Sequence, residues 1–390
     1  MTPRVSVLLS VYNGERHLRP ALDSVLGQTL TDYEFLIIDD GSTDSTWAIL
    51  SEYAAAHPML ELHRNPANLG ITRSMNKLFA RARGEYVTRH DADDVSRPER
   101  LERQAAYLDA HPTVGLLATR VSIIDEQGQP LDVRPLFNVG LTHAELTREL
   151  ATANCLCQGS VMVRRTCLEQ VGYYDESLDQ AEDYDLWLRL AEVTQLAKLE
   201  EPLYCFRYHP DSVTRTHPHL TALDAARVVE RTAVKQGGGQ PAPERRPLIA
   251  ERYLQAAIAN WLVDEAATAR RCLDTALKYR PALLAQAQPL ERLVLQQVER
   301  VPAAAGVKLI GRVFDELLPP TRAARRVRAR LLSDLHMRQV YRVLRTRQYS
   351  ELDAHLWPAV RHNPGWLLNR GVLSIIARRV LHYRDRPAGG

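Results

Sequence analysis

The sequence of 390 residues predicts an α/β fold with a mostly parallel sheet flanked by helices, followed by an α-helical C-terminal region. The first part is predicted because apolar, β-rich runs alternate with amphipathic stretches over residues 5–119, joined by short connections. The second part is predicted because the chain beyond residue 245 is rich in Ala, Leu and Arg. We therefore expect a domain over residues 1–220, a linker over 221–245 and an α-helical accessory region over 246–390.

Each element has a local reason in the sequence. Strands are predicted where β-branched and apolar residues run together, as in strands buried on both faces. They cover residues 5–10, 33–40, 60–63, 85–88, 114–119, 161–163 and 203–209, with a hairpin within 120–135. Helices are predicted where turn or N-cap residues precede an amphipathic stretch. They cover residues 15–27, 46–56, 72–83, 98–109, 142–151 and 181–190.

Composition excludes several classes of protein. The net charge of +3 is too close to balance to predict a nucleic-acid partner. Five cysteines, an odd number, do not make a disulfide scaffold, and Cys155 and Cys157 form a lone pair better explained as buried thiols than as a zinc site. No apolar run approaches the ~20 residues of a membrane span. Because the N-terminus leads straight into a strand, we expect a cytoplasmic protein.

The usual glycine-rich nucleotide fingerprints do not occur. The first strand is followed by Gly14 alone, and no P-loop pattern is found anywhere in the chain. A dinucleotide dehydrogenase and a P-loop ATPase are therefore disfavoured. If a nucleotide binds, a metal ion must neutralise its phosphates in place of a glycine nest.

Polar side chains follow three of the predicted strands. Ser10 and Tyr12 follow the first strand, Asp39 and Asp40 the second, and the acidic segment 91–94 a later one. The carboxyl ends of parallel strands meet in one crevice, where such sheets bind ligands. Oxygen ligands suit Mg²⁺ or Mn²⁺, which often uses one or two carboxylates plus phosphate oxygens. The alternative is a solvated acidic turn leading into the next helix.

A second acidic group, Glu182, Asp183 and Asp185, lies in the first turns of a predicted helix. The helix dipole favours negative charge there, which is an adequate structural explanation. A catalytic carboxylate is the functional alternative, and these residues alone leave both open.

Taken in order, these segments resemble family 2 glycosyltransferases, which are inverting enzymes of the GT-A fold that use nucleotide-sugar donors. The resemblance covers roughly residues 3–215. It rests on the order and spacing of segments 5–13, 28–29, 39–44, 68–70, 91–94 and 182–189.

The resemblance implies roles for individual residues. The donor nucleotide and its pyrophosphate would be bound by Ser10, Tyr12, Asp39, Asp40, Gly70, Arg73 and Asp91. Within this set Asp40 matches the position on the uracil imide nitrogen, and Asp39 is the neighbouring alternative. Asp91 and Asp93 match the D-x-D pair that binds Mn²⁺ or Mg²⁺, and His209 resembles a late residue that closes over the diphosphate and metal. Asp183 matches the general base, with Glu182 beside it.

These residue types suit a single in-line displacement at the anomeric carbon. A carboxylate base must reach the acceptor hydroxyl, and a cation must stabilise the leaving diphosphate. The expected function is therefore metal-dependent, inverting transfer of a sugar from a nucleotide-sugar, in the first place a UDP-sugar, to a saccharide or lipid-linked acceptor in polysaccharide or glycan synthesis. The alternatives are a catalytically inactive nucleotide-sugar-binding scaffold and a nucleotidyltransferase.

The C-terminal region carries one further hypothesis. Five arginines (322, 325, 326, 328 and 330) fall within nine residues that contain no carboxylate. Such a patch suits an anionic membrane surface or a lipid-linked diphosphate, which would place the protein peripherally at the inner face of the membrane. A solvated helix face in an arginine-rich chain is the alternative.

Overall fold

The computed structural model describes residues 2–133, 135, 137–209, 216–285, 294–295, 303–316, 322–346 and 351–384. The chain divides into two compact units, Met1–Ala242 and Pro243–Gly390. The first unit is a mixed α/β structure, and the described part of the second unit is helical. The predicted fold class is confirmed.

The first unit alternates strands and helices from its amino end. Its strands are β1 (Val5–Val11), β2 (Tyr33–Asp39), β3 (Leu60–Arg64), β4 (Tyr86–Arg89), β5 (Val95–Ser96), β6 (Val114–Ile124), β7 (Pro130–Leu131), β8 (Met162–Arg164) and β9 (Gln195–Arg207). Its helices are α1 (Leu18–Leu26), α2 (Thr46–Ala56), α3 (Ile71–Phe79), α4 (Arg100–Ala110), α5 (His143–Leu150), α6 (Arg165–Val171), α7 (Glu182–Ala191) and α8 (Pro218–Gln236). A short 3₁₀ turn, Gln158–Ser160, precedes β8.

The strands form one sheet in the order β3-β2-β1-β4-β8-β6-β9-β5, with β7 paired to β6. The half from β3 to β4 is parallel, as predicted. Beyond it, β8 is antiparallel to both β4 and β6, and β5 is antiparallel to β9. A short strand that is apolar on both faces has the same composition in either direction, so the sequence did not show this reversal.

The core lies between the parallel half of the sheet and three helices. One face of β1, with Val5, Val7 and Leu9, packs in a single apolar cluster with buried side chains of α1, α2 and α4. Helix α3 contacts β1 and β2 without entering that cluster. Helices therefore cover both faces, and the strand ends that carry the acidic segments remain at one edge of the sheet.

Helix α8 occupies most of the segment that the sequence predicted as a linker, 221–245. Asp224 of this helix is buried and accepts hydrogen bonds from the backbone N–H groups of Asp179 and Gln180, at 3.0 and 2.9 Å. Arg231 reaches Asp185 on α7, with Nη2 to Oδ1 at 2.9 Å. These contacts attach α8 to the first unit, and only residues 237–245 lie between it and the next helix.

The second unit contains helices throughout its described part. They are α9 (Arg246–Leu262), α10 (Ala266–Tyr279), α11 (Ala303–Glu316), α12 (Arg322–Thr346), α13 (Leu352–His362) and α14 (Arg370–Arg384), with 3₁₀ turns at Pro281–Ala285 and Pro364–Leu368. The arginine cluster lies at the start of α12, where Arg325, Arg326 and Arg330 are exposed. The membrane contact inferred from it stays a prediction.

The structure also describes the cysteines and the length of the helices. All five cysteines are free, and Cys155 and Cys157 are buried, as expected of structural thiols. Within the described ranges, every helix is too short or too polar to cross a bilayer.

Candidate active site

Residues 90–94, which include the acidic segment 91–94 and form an acidic turn, connect β4 to β5 at the carboxyl edge of the sheet. The backbone N–H of His90 donates to the carbonyl of Leu8 on β1, at 2.9 Å. The backbone N–H of Asp91 donates to the hydroxyl of Tyr204 on β9, at 3.2 Å. The turn is therefore held between the parallel half of the sheet and β9, so its shape is set by tertiary contacts and not by solvent.

Asp94 has a structural role. Its side chain is buried, and Oδ1 accepts the backbone N–H of Arg207 at 2.7 Å. Burial, reinforced by the charges of Asp93 and Asp91, raises the pKa of Asp94 well above its usual range. Asp94 therefore fastens the acidic turn to β9 and does not face the crevice.

Asp93 and His209, both predicted at the metal, are in contact. Asp93 Oδ2 lies 2.8 Å from His209 Nε2, although 116 residues separate them. The Asp93 side chain is 37% exposed and the His209 side chain 10% exposed. Burial alone would raise the pKa of Asp93, but the hydrogen bond and charge of His209 outweigh it and lower that pKa. Asp93 is thus an ionised carboxylate that remains accessible.

Asp91 is held by an arginine that the sequence analysis did not single out. Arg89, the last residue of β4, places Nε and Nη2 at 2.7 and 2.6 Å from Asp91 Oδ1. Burial raises the pKa of Asp91, and the charge of Arg89 opposes that rise. One oxygen of Asp91 is therefore occupied within the protein, which leaves Asp93 as the more available ligand.

The donor set fits a divalent cation that keeps most of its coordination for other groups. Across the ranges that the structure describes, no three His, Cys, Asp or Glu side chains converge into a complete cation site. The carboxylates of Asp93 and Asp91 offer a small number of hard oxygen ligands, and the imidazole of His209 lies beside Asp93. Mg²⁺ and Mn²⁺ are commonly held in this way, with phosphate oxygens completing the shell.

Asp39 and Asp40, expected at the nucleobase, shape the loops beside the crevice. Asp40 is buried and accepts the backbone N–H groups of Leu69 and Gly70, both at 2.9 Å. Asp39 is buried as well and accepts the backbone N–H of Ser42 at 3.0 Å. Both carboxylates thus have internal partners, and a contact of either with a base stays a prediction.

The other residues expected at the donor are more accessible. Tyr12 is 46% exposed directly after β1, and Ser10 is partly exposed near the end of the same strand. Gly70 has φ of +87°, and a Cβ there would meet no atom within 4 Å, so the space on that side of the residue is open. The side chain of Arg73 is 59% exposed, with Nε 3.6 Å from Glu176 Oε2.

The second acidic pair begins helix α7. Its N-cap, Ala181, has the left-handed conformation, with φ of 61°. This backbone conformation is uncommon for a residue with a Cβ, and it persists only where the surrounding structure fixes it. Here Asp224 of α8 binds the N–H of Gln180, directly before Ala181. The brace from α8 therefore sets the direction in which Glu182 and Asp183 leave the turn.

Asp183 and Glu182 have different surroundings. Asp183 is partly exposed, and its Oδ2 accepts Asn154 Nδ2 at 2.8 Å. Burial and the charge of Glu182 raise the pKa of Asp183 to about 7. Glu182 is buried, with Oε1 3.3 Å from Gln158 Nε2 and 3.5 Å from Arg89 Nη1. A carboxylate with a pKa near neutrality suits a general base. In this pair Asp183 is the accessible carboxylate and Glu182 is the internal one.

Sequence reasoning missed Arg89 and Asn154. Arg89 contacts both acidic segments, which places Asp91 and Glu182 beside the same guanidinium. Asn154 lies 29 residues before the carboxylate that it orients. Their position directly before or near polar segments was visible in the sequence, but their partners depend on how β4 and α7 pack.

The packing beneath the acidic turn gives a stability prediction. A methyl group at Gly159 would overlap the hydroxyl of Tyr204, the group that binds the N–H of Asp91. We expect Gly159→Ala to lower the free energy of unfolding by about 1–3 kcal/mol through overpacking. Thermal and denaturant unfolding measure the change. In the control Gly371→Ala, the new Cβ meets only Asn369 Oδ1, at 3.1 Å, and stability should hold. Equal stability of the two variants would contradict the prediction.

Comparison with known proteins identifies the family of the chain. The family model described as "Glycosyl transferase family 2" matches residues 6–172. The putative glycosyltransferase EpsE of Bacillus subtilis is 33% identical over 217 residues, which cover 55% of this chain and 76% of EpsE. The chain therefore belongs to glycosyltransferase family 2.

Two further proteins show the extent of the likeness. The amylovoran biosynthesis glycosyltransferase AmsE of Erwinia amylovora is 32% identical over 215 residues, covering 54% of this chain and 78% of AmsE. The crystal structure of S. aureus TarS residues 1–349 in complex with UDP-GlcNAc aligns with a TM-score of 0.55 at 19% identity. That alignment covers 84% of this chain and 86% of the TarS chain, and it shows a shared fold.

Proposed function

We propose that this family 2 glycosyltransferase moves a sugar from a UDP-sugar to a saccharide or lipid-linked acceptor, with a divalent cation and with inversion at the anomeric carbon. The observation that carries the proposal is the accessible carboxylate of Asp183, whose pKa is raised to about 7. It is joined through Glu182 and Arg89 to the acidic turn that carries Asp93.

On the donor side, Asp93 and His209, with Asp91, would hold Mn²⁺ or Mg²⁺. When bound, the cation would stabilise the negative charge of the leaving diphosphate. Tyr12 and Ser10 lie at the end of β1, beside the strand end that leads to the acidic turn. There they would contact the nucleoside, and the open space on the Cβ side of Gly70 would allow close approach of the ligand.

On the acceptor side, Asp183 would accept the proton of the attacking hydroxyl. Its hydrogen bond from Asn154 fixes Oδ2, which orients the carboxylate. Inversion requires attack from the face opposite the leaving group, and no covalent intermediate is formed. A single oriented base is sufficient for that reaction.

The comparisons support this proposal without fixing the substrates. AmsE is named for amylovoran biosynthesis, which makes polysaccharide synthesis the first setting to consider. TarS, which shares the fold, was determined with UDP-GlcNAc. UDP-GlcNAc is therefore the first donor to test, followed by UDP-glucose and UDP-galactose.

The proposal predicts metal-dependent release of UDP from a UDP-sugar, with water or an added saccharide as acceptor. We expect activity with Mn²⁺ or Mg²⁺ and its loss in EDTA, and we expect NMR of the product to show inversion. Tight UDP binding without turnover would favour a binding scaffold. Release of pyrophosphate from a nucleoside triphosphate would favour a nucleotidyltransferase. Absence of both UDP binding and turnover across the panel would overturn the proposal.

A further inference from the structure

Arg89 occupies an unusual place for a cation, at the end of a core strand between two acidic segments. Its side chain is 14% exposed. Nε and Nη2 both lie within 2.7 Å of Asp91 Oδ1. The guanidinium thus places two nitrogens on one carboxylate oxygen, which holds that oxygen more firmly than the single nitrogen of an ammonium group would.

The opposite edge of the guanidinium points to α7. Nη1 is buried and makes no hydrogen bond to any residue that the structure describes. The carboxylate oxygen facing it is Glu182 Oε1, at 3.5 Å. The Glu182 side chain is 8% exposed, so it faces Arg89 and not the crevice. Gln158 supports the same oxygen, and its Nε2 also donates to the hydroxyl of Tyr174 at 2.7 Å.

We propose that Arg89 is a positioning residue that ties Asp91, on the donor side, to the helix that bears the base, through Glu182. This inference rests on the proposed function and adds to it a group that touches neither substrate. A buried charge is stable only when an opposite charge lies beside it. Arg89 lies between Asp91 and Glu182, so it stabilises both carboxylates in their positions. Asp183 follows Glu182 directly, so the Arg89–Glu182 contact sets the distance from the base to the acidic turn.

The kinetic test compares Arg89→Met, which keeps an unbranched but shorter side chain and removes the charge, with Arg89→Lys. We expect Arg89→Met to lower kcat for UDP release by about 100-fold, the scale of a small misplacement of reacting groups. The KM for the UDP-sugar should change by less than tenfold, and Arg89→Lys should recover part of kcat. In a Glu182→Gln background, Arg89→Met should cost little more, because the two residues act as one unit.

The pH profile separates positioning from general destabilisation. Glu182, Arg89 and Tyr174 are the charged or titratable groups that interact with Asp183. Because Arg89 opposes the rise in the pKa of Asp183, its removal should move the acid limb of the profile to higher pH. The matched control is Arg164→Met, whose side chain is 17% exposed and whose Nε binds the Val114 carbonyl at 2.9 Å. It should lower the melting temperature without moving the acid limb.

A stability cycle tests the link without any need for turnover. We expect the double variant Arg89→Met, Glu182→Gln to have a urea midpoint no lower than that of the less stable of the two single variants. Additive losses in the midpoint, or full kcat in Arg89→Met with an active wild type, would overturn the inference. Wild-type protein that neither binds UDP nor releases it would overturn the proposed function instead, and the stability cycle would still decide the role of Arg89.

Discussion

The Asp183→Asn variant is expected to bind UDP with Mn²⁺ within a few-fold of wild type while its turnover falls by about 10²–10⁴-fold. The amide has the same shape and can still accept the hydrogen bond from Asn154 Nδ2, which lies 2.8 Å from Asp183 Oδ2. What it cannot do is accept a proton from the attacking hydroxyl. Calorimetric titration with UDP and an assay of UDP release measure the two quantities separately.

The pH dependence of the wild-type enzyme should report the same carboxylate. Because the base must be ionised, and the pKa of Asp183 is raised to about 7, turnover should rise as pH increases through about 7. In Asp183→Asn that limb should vanish. The control is Asp185→Asn, which removes a carboxylate paired with Arg189 at 2.8 Å on the same helix. It should lower stability while the limb stays in place, and a limb that persists in Asp183→Asn would contradict the assignment.

The raised pKa also has a consequence for stability. In the unfolded chain Asp183 ionises near pH 4, whereas in the folded protein it stays protonated up to about pH 7. Stability is therefore lost as pH rises between these values and does not return above them. Asp183→Asn removes this cost, so at pH 8 it should melt at a higher temperature than wild type, as expected of a base held in a destabilising place.

The Asp93→Ala variant should lose the metal-dependent part of UDP binding. Asp93 is the more exposed carboxylate of the acidic turn and is positioned by His209. We expect the affinity for UDP in Mn²⁺ to fall to the level measured in EDTA. His209→Ala removes the imidazole that contacts Asp93 and is proposed to help hold the cation, and it should weaken UDP binding in Mn²⁺ by about 10–100-fold. Isothermal titration with UDP, with and without Mn²⁺, measures both effects.

The neighbouring residue provides the matched control. Asp94 is buried, and its Oδ1 binds the N–H of Arg207, a bond that an asparagine can keep. Asp94→Asn should therefore retain UDP binding in Mn²⁺ while Asp93→Ala does not. If the two variants lose binding equally, the acidic turn acts as a whole, and the division of roles within it is wrong.

The parallel half of the fold was predictable because its strands have a physical requirement that composition records. β1 and β2 are buried along nearly their whole length, so most of their residues are apolar. The direction of β8 cannot be predicted in this way, because a short apolar strand has the same composition in a parallel and in an antiparallel pair. The three glycines 237–239 favour a linker in this part of the sequence, but helix α8 directly before them has buried positions and an ion pair with α7.

The site was predictable to the extent that its residues follow strands or begin a helix. The acidic segments that contain Asp93 and Asp183 stand out by such positions, whereas the roles predicted for these residues and for His209 rest on the resemblance. The sequence could not show that both oxygens of Asp40 would accept hydrogen bonds from the N–H groups of Leu69 and Gly70. Nor could it show that Arg89 would face Glu182, since that contact joins residues 93 positions apart through the packing of two elements.

The attachment of α8 fixes where a minimal catalytic fragment ends. The family match stops at residue 172, before Glu182 and Asp183. A chain shortened there would lack the proposed base, and one ended near residue 220 would keep the base but lose Asp224 and Arg231, which hold the turn and helix that carry it. Domain exchange between such enzymes should therefore join the chains near Ala242, so that α8 stays in the same fragment as Glu182 and Asp183.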